Sequence, residues 1–264
     1  MNYHIARPIL ASALVLAGAA AYSQGLYWES THSGSMMQEK NSISQQYYMP
    51  GKFKVVSADN GETIVLRLDK EIIYTIDPND KTYSEMTFAE MEASMKKAGA
   101  RMDAHMAELQ KQLESMPEEQ RKMMEQMMVD KMPGMKKEGK VEVKKTSDKK
   151  TISGYACVKS VITEDGKELM TVWATKDMKD FNVIRKDMEE FGRRMAAMNP
   201  MMPKGFLEAM AKIEGFPIET SMGTTMKQVV TKVERRSTPA GEFEVPAGYK
   251  KVDPKLMQMD EEME

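Results

Sequence analysis

The sequence predicts an α+β fold: one mainly antiparallel sheet with amphipathic helices laid against it. Three observations point there. Segments with alternating apolar and polar residues fill both ends of the chain, and the spans between them are too short for parallel crossovers. Between them lie stretches with a 3.6-residue period, each with one narrow apolar stripe that has to rest on a sheet.

In chain order, LYWESTHSGS (26–35) and SISQQYYMPGKFKVVSA (42–58) alternate without helical period. ETIVLRL (62–68) sets Ile64, Leu66 and Leu68 on one face, after the hairpin pair Asn60-Gly61. EIIYTID (71–77) sets Ile72, Tyr74 and Ile76 on one face, and the Asp69-Lys70 span demands a tight turn. The DPND cluster turns the chain again before KTYSEM.

The period then changes. Phe88, Met91, Met95, Ala98, Met102, Met106, Leu109, Leu113 and Met116 step by three and four, which at ~100° per residue keeps them within an arc of roughly 80°. Pro117 ends or bends this helix, and Ser115-Met-Pro-Glu118 resembles a capping box for a second helix carrying Met123, Met124, Met127 and Met128, stopped by Pro133-Gly134.

Strands are expected to resume as EGKVEVKKTS (138–147), KKTISGYACVKSVIT (149–163) and GKELMTVWAT (166–175), the last two joined at Asp165-Gly166. Phe181, Ile184, Met188, Phe191, Met195 and Met198 then mark another helix, broken at Pro200 and Pro203. GFLEAMAKIE adds a helical turn or two. FPIETSM, TTMKQVVTKVERR and a closing EFEVPAGYKKV return to strand.

Arg7, the apolar run ILASALVLAGAAAY and Ala21-Tyr22-Ser23 read as a signal peptide over residues 1–23, leaving a periplasmic or secreted chain that is soluble after cleavage. The apolar run falls short of the ~20 residues of a spanning helix. Formal charge is −2, too balanced for nucleic acid. KKEGKVEVKKTSDKK (136–150) is basic and the tail DEEME acidic; both suit solvated surface, and the basic run also suits a transient contact with a membrane surface. Cys157 is the one cysteine, so no internal disulfide can form.

Methionine is the compositional anomaly. The chain holds 29, and after residue 23 they number 28 against 8 Leu and 10 Ile. So wide a replacement of Leu points to flexible apolar filling rather than to a ligand set.

The landmarks YTIDPNDKTYSEM (74–86), ISGYACVK (152–159), VWATKDM (172–178), GFPIETSM (215–222) and EFEVPAGYKK (242–251) resemble an uncharacterised family of exported bacterial proteins, a domain of unknown function. That family is similar in fold to the LolA and LppX lipoprotein carriers. The resemblance implies a strongly curved antiparallel sheet, a half-open LolA-like barrel, with amphipathic helices on its concave face and acyl chains held between. A single LolA-like domain is expected over 24–264, with helical insertions near 87–132 and 178–213 read from the apolar period; the Met-rich insertion departs from the family pattern. Gly154, Tyr155, Cys157, Trp173, Phe216 and Pro217 are its structural landmarks.

The expected function is non-enzymatic binding of a lipid, acyl chain or lipidated protein, without cofactor. The cavity lining would be Phe88, Met91, Met95, Met102, Met106, Leu109 and Leu113 with Phe181, Ile184, Met188, Phe191 and Met195. Two alternatives stay open. The i, i+4 pairs Met123/Met127 and Met124/Met128 suit Cu(I), although His32, His105 and Cys157 offer few further ligands. The same stripes would also fill a closed structural core. An enzyme is not expected: no G-x-S-x-G, H-E-x-x-H, phosphate loop or spaced Cys/His pair is present.

Overall fold

A computed structural model describes residues 23–35, 41–121, 139–178, 181–198, 203 and 205–254. Within them lie strands β1 (Ser23–Ser33), β2 (Ser42–Met49), β3 (Lys52–Ser57), β4 (Thr63–Arg67), β5 (Ile72–Asp77) and β6 (Thr82–Thr87). Helix α1 (Phe88–Glu114) precedes β7 (Val141–Ile152), β8 (Tyr155–Glu164) and β9 (Lys167–Thr175). Helices α2 (Phe181–Met198) and α3 (Phe206–Ala211) lead to β10 (Phe216–Met222), β11 (Met226–Thr238), a 3-10 turn (Ala240–Phe243) and β12 (Lys250–Lys251). Residues 1–22 of the expected signal peptide (1–23), and Met123, Met124, Met127 and Met128 of the expected second Met-rich helix, lie outside the described residues.

The strands form one curved, unclosed sheet in the order β12-β6-β5-β4-β3-β2-β1-β11-β10-β9-β8-β7. Neighbours are antiparallel throughout, except that β12 lies parallel to β6. Tight turns set the registers. Asp165-Gly166 turns with φ of 48° and 78°, conformations that a two-residue hairpin needs at both positions.

Two expectations for the strands need correction. The run 149–163 is not one strand, because Ser153 and Gly154 turn at φ 50° and 84°. Residues 141–152 instead form a single strand with a register shift between Lys145 and Lys149. Nor is EFEVPAGYKKV a strand: it makes the 3-10 turn and the two residues of β12. Phe243 in this segment is fully buried, packed with Val65, Tyr74 and Ile76 on the face away from the helices. An apolar side chain that docks on a sheet overrides the alternation of its own segment.

Beside Phe243, Arg67 is 3% exposed. Its guanidinium donates to both oxygens of Asp69 at 2.7 Å and to a Glu244 carboxylate oxygen. The Arg67 hydrogen bond is the chief reason that Asp69 sits below its ordinary carboxyl value. For Glu244 burial pushes upward, but Arg67 and Lys70 outweigh it and the net displacement is also downward.

Thr87 caps α1: its hydroxyl accepts from Glu90 N at 3.1 Å while the Glu90 carboxylate accepts from Thr87 N at 2.8 Å. The helix begins one residue after β6 and therefore starts against the sheet.

Replacing Phe243 by Ala is expected to cost about 3–5 kcal/mol in urea unfolding. The Arg67 cluster contributes fully above the ordinary carboxyl range of about 4, and its contribution falls as acid protonates the depressed carboxyls. Unfolding midpoints measured from neutral pH down to about pH 3 should therefore decline less steeply in Arg67→Met than in the native chain.

Candidate functional site

Helices α1, α2 and α3 lie on one face of the sheet, and α2 crosses its strands in sequence. Phe181, at the start of α2, meets Phe216 of β10 edge to face, with centroids 5.2 Å apart. Ile184, 2% exposed, packs into the cluster of Leu26, Trp28, Tyr48, Ile218 and Val230. Asp187 accepts from Tyr48 Oη at 2.8 Å and from Gly51 N at 2.7 Å. Phe191 reaches Phe88 of α1 at 6.2 Å between centroids. At 1.5 Å per residue, ten helical positions cover ~15 Å, about three strand spacings. A single three-four stripe therefore serves β10, β1, β2 and α1 in turn.

The predicted lining residues separate into packed and unpacked sets. Phe88 and Met91 are buried, and half-buried Met95 and Phe191 complete their cluster with Leu66 and Met86. Phe181 and Ile184 are core as well. Met188 is 38% exposed. Met106, Leu109 and Leu113 of α1 are half-buried and belong to none of the four core clusters. The side chains of Met102 and Met195 lie outside the described set. The stripe of α1 thus meets the sheet over its first two turns, where the helix leaves β6.

At the other end of the sheet, α3 seats Ala209 over β8 and β9, and Ile213 just beyond α3 joins it, packing on Ile162, Met170, Val172 and Ala174. Gly215 returns the chain to β10 at φ 96°, where a Cβ would lie 2.2 Å from Thr175 O. Only glycine fits there.

A row of polar side chains on the helix-bearing face had no place in the sequence expectations. Ser30, Ser44 and Gln46 are buried, and His32 is half-buried beside them. Strand pairing aligns Ser30 with Ser44 and Trp28 with Gln46. Gln46 Nε2 donates to Ser44 Oγ at 2.6 Å, and Ser44 Oγ lies 2.6 Å from His32 Nε2. Gln228 Nε2 donates to Ser30 Oγ at 3.3 Å. Burial holds the His32 imidazole below its ordinary value, favouring the neutral ring. The signal was present in SISQQYYM, but alternation alone favours the other set, Ile43, Tyr47 and Met49, as inward-facing.

Two clefts open on the surface of the described residues. One, of about 300 Å³, is lined by Leu26, Tyr155, Met178 and Val233 with Asp177 and Arg235. The other, of about 280 Å³, lies among Val143, Val158, Ala174, Lys176 and Lys212. Neither is lined by the predicted Met residues.

The landmark residues fall elsewhere. Gly154 is the β7–β8 turn and Tyr155 follows it. Cys157 is buried, and burial pushes its thiol up. Phe216 is core, and Pro217 sits at a register shift of β10. Trp173 packs half-buried against the cluster that holds Phe216, under Lys150 Nζ, 4.3 Å from its ring; Lys150 also pairs with Glu219 at 2.9 Å. Among the described residues, no three His, Cys, Asp or Glu side chains gather to hold a metal, and no helix is long and apolar enough to cross a membrane.

A family model described as Domain of unknown function (DUF4412) matches residues 87–249. No curated protein matches the chain. Among solved structures it is similar to an uncharacterized conserved protein from Thermus thermophilus, at 9% identity and a TM-score of 0.42, over 86% of this chain and 90% of that one. It is similar to PNGF-II at 10% identity and 0.39, over 90% of this chain but 32% of that one. It is also similar to MucB at 8% and 0.37, over 87% of this chain and 59% of that one.

Asp187→Ala removes the acceptor shared by Tyr48 Oη and Gly51 N. It is expected to cost about 1–3 kcal/mol, read by thermal unfolding, with early loss of α2 protection in amide exchange.

Proposed function

The chain belongs to the DUF4412 family of unknown function, and we propose that it is a non-enzymatic, exported binding or carrier protein. Its cargo is a lipid, an acyl chain or the lipid part of a lipidated protein, held on the helix-bearing face of the sheet. The periplasm, or the space beyond it, is the compartment, with transient contact to a membrane surface at loading or release.

The observation that supports this most is the divided stripe of α1. Phe88, Met91 and Met95 are spent on packing. Met106, Leu109 and Leu113 continue the same stripe outside the core clusters. On β4, Ile64 shares a face with Leu66 by alternation and is 51% exposed. An amphipathic helix whose half-buried apolar positions lie outside the core clusters of the described residues, on a protein with an exposed apolar position on the sheet, offers a surface that a flexible chain can complete. Methionine suits such a surface, because its unbranched thioether adapts to cargoes of different shape.

One observation favours a second reading, a closed structural domain. The α1–α2 contact around Phe88, Met91 and Phe191, and the seat of Ile184 on the sheet, are packed core rather than open space. Cu(I) binding at Met123, Met124, Met127 and Met128 is the third.

Native mass spectrometry of the chain purified from its own envelope without detergent separates the three. A heterogeneous adduct of lipid mass is expected. A copper-mass adduct favours the metal site, and a bare chain that takes up neither on titration leaves the closed domain. The triple variant Met106→Glu, Leu109→Glu, Leu113→Glu should lose the adduct, with affinity lowered about 10-fold or more, since burying one Leu alone is worth about 1.5–3 kcal/mol. Its circular dichroism should match that of the native chain.

A further inference from the structure

The inward row on β1 and β2 passes from apolar to polar along the strands. Leu26, Trp28 and Tyr48 belong to the core cluster under α2, whereas Ser30, Ser44 and His32 continue the same faces toward the other end. Gln46 stands at the boundary, directly across from Trp28, and is 4% exposed. Among the described residues its amide oxygen has no hydrogen-bond partner.

The direction of the hydrogen bonds follows from the chemistry. Gln46 Nε2 donates to Ser44 Oγ, and the Ser44 hydroxyl can then donate to Nε2 of His32 when the ring is the neutral tautomer with its proton on Nδ1. Burial lowers the His32 pKa and so favours that state. Turning the amide around would take the Nε2 group away from Ser44 Oγ and leave both of its N–H groups without an acceptor. The network therefore begins at Gln46 with an acceptor that lacks a donor. Buried side-chain acceptors are rarely left so, and one that is marks a missing partner.

We propose that Gln46 is the polar end of a ligand site on this face, and that its amide oxygen accepts a hydrogen bond from an uncharged donor, a hydroxyl or amide N–H, on an amphipathic lipid. The assignment rests on the lipid-binding reading and narrows it to a class of headgroup. A phosphate or carboxylate is disfavoured because it would bring acceptor oxygens to an acceptor. An ammonium is disfavoured because the row Ser30, Ser44, Gln46 and neutral His32 carries no negative charge to offset its burial.

Oleyl alcohol and oleyl methyl ether test this, since they share a chain and differ in one O–H donor. Each is titrated into the full chain and followed by tryptophan emission, with Trp28 directly across from Gln46. The native chain should bind the alcohol about 10-fold more tightly, the worth of one hydrogen bond. Gln46→Leu should abolish that preference and leave ether affinity unchanged. Its Tm should change little, because leucine at similar size removes the orphaned oxygen together with the hydrogen bond to Ser44. If the variant does not fold, the native chain's comparison still decides.

Equal affinities in the native chain would overturn the proposal and leave the carrier reading standing, with a trapped water as the partner of Gln46. A preference that survives Gln46→Leu would also overturn it, by placing the donor's acceptor elsewhere. Binding of neither ligand would remove the carrier reading, and the headgroup site with it.

Discussion

The helix-bearing face depends on α2 lying across the strands rather than along them. A helix placed so must change partners every turn, and its stripe does this with Phe181, Ile184, Asp187 and Phe191. Three of these contacts are apolar and tolerate sliding. The fourth does not: Asp187 takes a hydroxyl from β2 and a backbone N–H from the β2–β3 turn, and so fixes both the position and the rotation of the helix. Burial first, and then the Asp187 carboxylate, hold the Tyr48 phenol well above its ordinary range, so it remains a donor at any physiological pH.

The second constraint is that the sheet does not close. An open sheet has two faces to cover and two edges to blunt. The C-terminal segment covers the outer face of β3–β5 by inserting Phe243, and Arg67 secures it through Glu244. One edge ends in β12, only two residues long. The other, β7, carries exposed Lys144, Lys145 and Lys149 and a register shift, features that discourage pairing with another chain. The basic run in the sequence thus has a structural use at this edge.

Local periodicity made most of the architecture legible. The stripes of α1 and α2 and the hairpin at Asp165-Gly166 are short-range patterns, and they lie where those patterns place them. One failure was local, since Ser153-Gly154 turns the chain inside the run 149–163; the others depended on contacts distant in sequence. EFEVPAGYKKV alternates like a strand, yet docking of Phe243 on Val65 and Tyr74 decides its shape. On β2 the more apolar set faces outward, with Ile43 45% exposed, while Ser44 and Gln46 face the helices. No local rule selects that face, because it is chosen by the pairing of Trp28 with Gln46 and by the neighbours of Tyr48. The stripe of α1 was legible as a stripe, but where its burial stops follows from how far the helix runs past the sheet.

The pairing of β1 with β11 joins the first strand to nearly the last, with Thr31 and Val229 separated by 198 positions. These strands lie in the middle of the sheet, so its centre is its most nonlocal part. A chain emerging N-terminus first can complete the β1–β6 meander early, but one flank of β1 stays open until the final strands arrive. Closing so long a loop is slow, and the halves cannot unite before then. The order of the strands therefore acts as a timing device: it keeps the chain from locking its core while any large part of it has still to emerge.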